Sequence, residues 1–368
     1  MCTTTGTVRH MTSSANTNPW DLDDPSDAKD TPTQWPAPVE SDTGLEVLTT
    51  TTAPAPAPAP AAAQTSALTP AATRTLSDLL DLGTERPVSP PDLQAQLKEL
   101  LLAKTQIPLE TWPERNLWVS KSSLMSFARC QGTFKANKEI PWSGLVLPVA
   151  VGQVAHRAIQ ISYTHPGLGV EIYVKSAITA QCDTDQPFND YWNESDIAVQ
   201  SDVITRAVSK TTAFLDSWPT LAPEWYPRFE ESTTARIGKL TLSVRPDLVL
   251  GRPRADMRQT MILCDFKTGD LKEEHDMEAS IYALVSTLRH GVAPFKSVVY
   301  SLSSGEWVSP EITADMLMET AEFVAASAAS QAQVLLETAE PVLTAGAWCT
   351  WCPLAASCVA HAEYKEDK

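Results

Sequence analysis

A chain of 368 residues, 43% of them hydrophobic, carries enough apolar side chain for one large core or two medium ones. Its formal net charge of −17 excludes a broad basic face, so a polyanionic partner must be met by a local basic groove or through metal ions. No apolar run reaches membrane-span length, Met1–His10 has no apolar leader core, and seven unevenly spaced cysteines make no secreted disulfide framework; the expectation is a soluble, cytoplasmic protein with reduced thiols.

Residues 1–72 are rich in Thr, Ser, Pro, Ala and Asp and include the Ala-Pro run Ala53–Pro60. Such a segment cannot bury enough apolar area to offset its conformational entropy, and the Ala-Pro run is expected to be an extended, stiff spacer. Two apolar islands follow, one at 76–82 and one at 92–104, where Leu93, Leu97, Leu100 and Leu101 recur at helical spacing. The second fits either a helix packing back on its own domain or a tethered helix for a protein partner. The resulting division is a disordered tail over 1–110, with short helical segments, and a folded domain over 111–368. The net charge is −8 in the first part and −9 in the second.

The folded body is expected to start near Trp112. Ser120–Cys130 reads as a capped helix with Leu124, Phe127 and Ala128 on one side. Pro148 suits the first turn of a second helix running to about Tyr163, on which Gly152 and His156 lie one turn apart. A lone helix histidine is more often structural than catalytic. A polar, Asp-rich connection leads to a long helix over Ser195–Ser217. The period then changes to two: strands are expected at Trp225–Ser232, carrying Glu230 and Glu231, at Leu240–Leu250, and at Met261–Phe266. A helix over Lys272–Arg289 places Glu278 and Tyr282 one turn apart. A hairpin at 298–309, a long Ala-rich helix over Glu311–Thr338, a cysteine cluster and a charged tail complete the chain.

Two constellations carry chemistry. Pro246-Asp247, followed after a gap by Asp265-Phe266-Lys267, puts two carboxylates on neighbouring strands beside a lysine. Residues two apart on a strand share a face, so Asp265 and Lys267 point the same way. Burying such charges is costly unless they are paired or bind a metal. The set suits a hard divalent cation such as Mg²⁺ or Mn²⁺, which would polarise a phosphate and acidify a bound water. Lys267 would orient or deprotonate that water, or neutralise charge on the phosphorane. The second constellation is Cys349-x2-Cys352-x5-Cys358, too dense for packing cysteines. Three thiolates leave one position on a tetrahedral zinc or an iron–sulfur cubane, and Cys130 is the natural fourth ligand. Cys264, inside a strand, reads as a small buried hydrophobe.

The order Ser-x3-Phe-x2-Cys130, Gly152-x3-His156, Pro246-Asp247, Asp265-Phe-Lys267-Thr-Gly, Tyr282 and Cys349-x2-Cys352-x5-Cys358 resembles the RecB-like nucleases of the PD-(D/E)xK superfamily. It is most similar to their iron–sulfur branch, the CRISPR-associated exonuclease Cas four family with its phage-borne relatives, over roughly Lys121–Cys358. The resemblance implies an α/β, restriction-endonuclease-like fold with a mixed central sheet flanked by helices. It implies that His156, Asp247, Asp265 and the main-chain carbonyl of Phe266 ligate Mn²⁺ or Mg²⁺, and that Lys267 is the catalytic lysine. It further implies that Cys130, Cys349, Cys352 and Cys358 hold a 4Fe-4S cluster joining the two ends of the domain. The sequence departs from the pattern at two places. Glu278 stands where a glutamine usually precedes Tyr282 by one turn, and Gln131 follows Cys130 where proline is common.

The implied activity is metal-dependent cleavage of DNA, exonucleolytic on single strands, in recombination, repair or CRISPR-type processing. Trp118, Trp142, Tyr191 and Trp192 are candidates for stacking on a threaded strand or, individually, for core packing. The alternative is a weakly active or non-catalytic Fe–S module of the same fold that binds DNA or a protein partner, the latter through its acidic tail. A zinc-held adaptor is a third reading.

Overall fold

The computed structural model describes residues 68–81, 83–140 and 144–366. In chain order the elements are α1 (Pro70–Arg74), continued by a π-helical turn over Thr75–Leu80, α2 (Leu93–Thr105), β1 (Leu117–Ser120), α3 (Lys121–Arg129), α4 (Gln131–Glu139), α5 (Leu147–Thr164), α6 (Val170–Thr184), α7 (Gln186–Glu194) and α8 (Ile197–Ser217). They continue with β2 (Arg228–Phe229), β3 (Thr233–Ile237), β4 (Leu240–Val244), β5 (Leu248–Leu250), β6 (Ile262–Lys267), α9 (Glu274–His290), β7 (Lys296–Ser301), β8 (Trp307–Val308), α10 (Ala314–Leu335) and α11 (Val359–Glu366). The fold is mixed α/β, as expected.

The strands form two sheets, one ordered β1-β4-β3 and the other β2-β5-β6-β7-β8. β6 lies in the middle of the larger sheet, antiparallel to β5 and parallel to β7. Its alternation separates two cores. Ile262, Cys264 and Phe266 face an aromatic core with Phe214, Trp218 and Tyr300. Leu263 faces the other way, into a core shared with Ile281, Leu284 and Val285 of α9 and with Leu317, Ala321 and Val324 of α10. Asp265 and Lys267 continue that second face to the end of the strand, where the apolar core gives way to charge. A third core binds α5, α6, α7 and α8 through Val154, Ala158, Tyr173, Ala177, Phe188 and Val203.

Several local expectations change. The strand expected over Leu240–Leu250 is two strands in different sheets. Pro246 has no N–H to give a ladder, and the chain leaves one sheet and enters the other around it. The strand expected over Trp225–Ser232 shrinks to β2, because Tyr226 and Glu230, at φ 48° and 53°, take left-handed conformations that end pairing on both sides. β1 and β3 were not expected. The polar connection before Ser195 folds into α6 and α7, held by an Asp185 N-cap whose side chain accepts the Phe188 N–H. The charged C-terminal tail contains α11.

The packed body also begins before 111. Leu79, Leu80, Leu93, Leu97 and Leu101 are fully or almost fully buried, the first two in the aromatic core and the others against α9 and α10. The second apolar island therefore packs back on its own domain. Of the segment 1–72 expected to be disordered, residues 1–67, with the Ala-Pro spacer, lie outside the described residues, as does Trp142, while Pro70 opens α1. Among the described residues, no helix is long and apolar enough to cross a membrane.

Candidate active site

One open cavity of about 1020 Å³ brings together α5, the loop after β2, the β4–β5 junction, the end of β6 and the start of α3. Lys121, His156, Glu230, Asp247, Asp265, Lys267 and Tyr282 all line it. The register that sets Leu248 opposite Cys264 carries Asp247 next to Asp265, so the break at Pro246 places the first acid at the end of the strand that bears the second. Asp247 is then fixed through both oxygens: Oδ1 lies 3.1 Å from His156 Nδ1, and Oδ2 accepts the Phe266 backbone N–H at 2.5 Å. The Phe266 ring packs into the aromatic core with Phe214 and Trp218 and meets the His156 ring edge-on, centroids 6.5 Å apart.

Ligand atoms of His156, Glu230 and Asp247 all lie within 4.8 Å of one another. Glu230 reaches this place through the left-handed turn that closes β2, and its own backbone N–H donates to the Asp247 carbonyl. Asp265 is turned differently. Its Oδ1 accepts the Tyr282 hydroxyl at 2.6 Å, and its Oδ2 lies 2.7 Å from Lys267 Nζ. Glu278 Oε2 is shared by Lys267 at 2.7 Å and Lys121 at 2.8 Å. Glu278 and Tyr282, one turn apart on α9, thus brace the β6 pair from the helix side.

The electrostatics follow from this packing. Burial opposes ionisation of Asp265, but Lys121 and Lys267 outweigh it and hold its carboxyl down at about 2. Burial likewise opposes protonation of Lys267, yet Asp265 and Glu278 push its proton affinity above that of an ordinary lysine. Glu278 is held below the usual carboxylate range, its burial outweighed by the two lysines. For His156, burial is overcome by Asp247, with Asp265 and Glu230 adding to it, and the imidazole is raised to about 9. Glu230 is pushed up by burial and by the adjacent Asp247 charge. Two carboxylates and one imidazole crowded at this spacing form a donor set that suits a hard divalent ion, whose charge relieves the repulsion between the acids.

The sequence-expected residues His156, Asp247, Asp265, Lys267, Glu278 and Tyr282 therefore meet at one place, and Phe266 joins them through its backbone N–H, which donates to Asp247 Oδ2. Glu230 and Lys121 were not expected there. The only sequence signal for Glu230 was its presence on a short polar strand, and Lys121 had none beyond its place beside the Ser120 cap. Of the aromatics considered for stacking, Tyr191 and Trp192 pack against the α5–α8 core, with Trp192 stacked on Phe188. Trp118 is exposed on β1.

A second, smaller cavity of about 180 Å³ is lined by Cys130, Cys349, Cys352 and Cys358 together. Cys130 sits at the α3–α4 corner, and the other three lie on the loop and short 3-10 turn after α10. Burial raises the Cys130 thiol, but N–H groups of Thr344, Thr133 and Gly132 outweigh it and leave it below the ordinary thiol range, toward the thiolate that ligates metals. Gln131 ties the same corner: its N–H donates to the Val342 carbonyl at 3.2 Å, and its side-chain oxygen accepts the Val342 N–H at 2.9 Å. A proline here would lack both bonds. Cys264 is fully buried away from this group, and burial pushes its thiol far up.

No curated protein matches the sequence. Among solved structures, a protein of Eubacterium rectale described as a candidate exonuclease is 12% identical, with a TM-score of 0.41 over 61% of this chain and 84% of that one. A protein named SSO0001 is also 12% identical, with a TM-score of 0.28 over 73% of this chain and 97% of that one. The family model of the PD-(D/E)XK nuclease superfamily matches residues 119–359, from within β1 to the first residue of α11, and so includes every site residue and every cysteine named above for the two cavities; the chain belongs to that superfamily.

Proposed function

We propose that the protein is a Mn²⁺- or Mg²⁺-dependent deoxyribonuclease that hydrolyses phosphodiester bonds exonucleolytically at single-stranded DNA ends, in recombination, repair or CRISPR-type processing. The observation that carries this reading is the convergence of His156, Glu230 and Asp247 beside the Asp265–Lys267 pair on the wall of one open cavity. Bound by that donor set, a divalent ion supplies Lewis-acid polarisation of the phosphate and acidifies the attacking water. Lys267 keeps its proton, because Asp265 and Glu278 raise its affinity, and acts as a cation on the phosphate rather than as a base. Tyr282 holds the Asp265 carboxylate in one orientation. His156 must give up its proton before it ligates. The site's cations are few and local in an acidic chain, which favours a threaded strand over a broad duplex face.

We read the four cysteines, which line one cavity, as ligands of a 4Fe-4S cluster, with zinc as the lesser alternative.

The test is digestion of end-labelled single- and double-stranded DNA with Mn²⁺ or Mg²⁺. Wild type is expected to cut from the ends, and Asp265→Ala and Lys267→Ala to lose on the order of a hundredfold or more. Cleavage equal in the variants would sink the catalytic assignment. The second reading, a non-catalytic DNA- or protein-binding module whose acidic N-terminal segment recruits a partner, is favoured by one observation: Lys267 is gripped by two carboxylates. DNA retention without metal-dependent cleavage would select it.

A further inference from the structure

The site holds a second lysine to which the superfamily pattern gives no role. Lys121 is the first residue of α3, directly after β1, and the parallel register of β1 with β4 places Ser120 opposite Ser243, at the edge of the cavity. Its Nζ lies 2.8 Å from Glu278 Oε2 and 3.5 Å from Asp265 Oδ1. Lys267 reaches the same Glu278 oxygen at 2.7 Å and the other Asp265 oxygen at 2.7 Å. Two carboxylates and two ammonium groups thus close a ring.

The Asp265 and Glu278 side chains are 8% and 6% exposed, and Lys121 is 15% exposed, so these charges act with little water between them. An uncompensated charge there is costly. A glutamine at 278 would be neutral. Glu278 adds a negative charge, and the ring balances only because Lys121 adds a positive one. Without Lys121, the Glu278 oxygen keeps a single cation, Lys267, held then between two carboxylates with no competitor.

We propose that Lys121 is a positioning residue for hydrolysis: by neutralising Glu278 it frees Lys267 to serve the substrate phosphate, so that Lys121 and Glu278 function only as a matched pair. The proposal rests on the nuclease reading given above. Lys121→Met leaves Glu278 to immobilise Lys267. Glu278→Gln leaves Lys121 to compete for Asp265. Changing both returns a neutral pair, and the penalty of the first change is relieved by the second.

The experiment is a Mn²⁺-supported digestion of end-labelled single-stranded DNA by the full chain, well below every variant's melting midpoint, with kcat and KM separated. Lys121→Met is expected to lower kcat roughly tenfold with KM little changed, a size set by ordinary coupling between contacting residues. Lys121→Arg is expected to keep most of the rate. Lys121→Met/Glu278→Gln is expected to cut faster than Lys121→Met although it carries one more substitution. Should Lys121→Met fail to fold, Lys121→Gln with and without Glu278→Gln carries the same comparison. A double variant no faster than its Lys121 parent overturns the pairing and leaves the nuclease reading standing. Wild type that cuts no DNA removes the nuclease reading and the pairing with it.

Discussion

At the scale of single residues, His156 shows how the fold changes the meaning of a side chain. On its helix alone it is an ordinary histidine; beside Asp247 it is an imidazole whose proton is held to about pH 9. The sign follows from linkage. A raised folded-state value means that the pair's stabilisation is complete below the unfolded value near 6.5 and is lost as pH rises through 9. In protein stripped of metal, the His156 ring signal should therefore titrate near pH 9 by NMR, and Asp247→Asn should bring it down toward 6.5. On the metal-site reading, added Mg²⁺ should lower the apparent midpoint, because the ion would compete with the proton for the same imidazole. A wild-type midpoint near 6.5 with no response to Asp247→Asn would remove the ion pair on which this depends. The Asp265–Lys267 pair was legible in the sequence, because a strand's two-residue period decides which side chains share a face. Glu230 and Lys121 were not, because a left-handed turn and an inter-strand register bring them in.

At the scale of elements, the junctions matter more than the elements. Pro246 ends one strand and starts another in a different sheet, and Asp247 owes its position to that change of sheet. The α3–α4 corner is another junction. There, Gln131 hydrogen-bonds in both directions to Val342 and holds the segment bearing Cys349, Cys352 and Cys358 near Cys130. The departure from proline at this position is thus matched by two bonds that proline cannot make. On the iron–sulfur reading, Cys352→Ser should yield protein with little iron and a lowered melting midpoint after anaerobic purification. Full iron content in that variant would rule out the four-cysteine set. The helices α6 and α7 escaped sequence reading because their polar faces hide a narrow apolar stripe, Tyr173, Val174, Ala177 and Phe188, that is used only once α5 and α8 are in place.

At the scale of the whole molecule, the chain N-terminal to the superfamily match is structural as far as it is described. Thr75 donates its hydroxyl to the Ser217 carbonyl, Arg74 pairs with Glu306, and Leu79 and Leu80 enter the aromatic core that backs Phe266. Both leucines are fully buried, so Leu79→Ala should cost about 3 kcal/mol in a urea melt, in the usual range for a core leucine. A cost within ~0.5 kcal/mol of zero, the level of surface substitutions, would show that this strap does not belong to the core. Because the strap leucines pack behind Phe266 in the aromatic core and do not line the cavity that holds the site, the loss should fall on stability before it falls on the site.

The sequence by itself determined the class of the fold, the central strand with its acid and lysine on one face, the helix that carries Glu278 and Tyr282, and the density of thiols near the C-terminus. These follow from periodicity, capping and spacing, which act over a few residues. Only the tertiary structure decided that Glu230 joins His156 and Asp247, that Lys121 shares Glu278 with Lys267, that four cysteines face one cavity, and that residues before 111 complete the core. Those outcomes depend on register and on contacts between residues far apart in the chain, as between Lys121 and Glu278 or Gln131 and Val342. No local rule encodes such a contact; it exists only once β1, β6 and α9 have buried their apolar faces against one another.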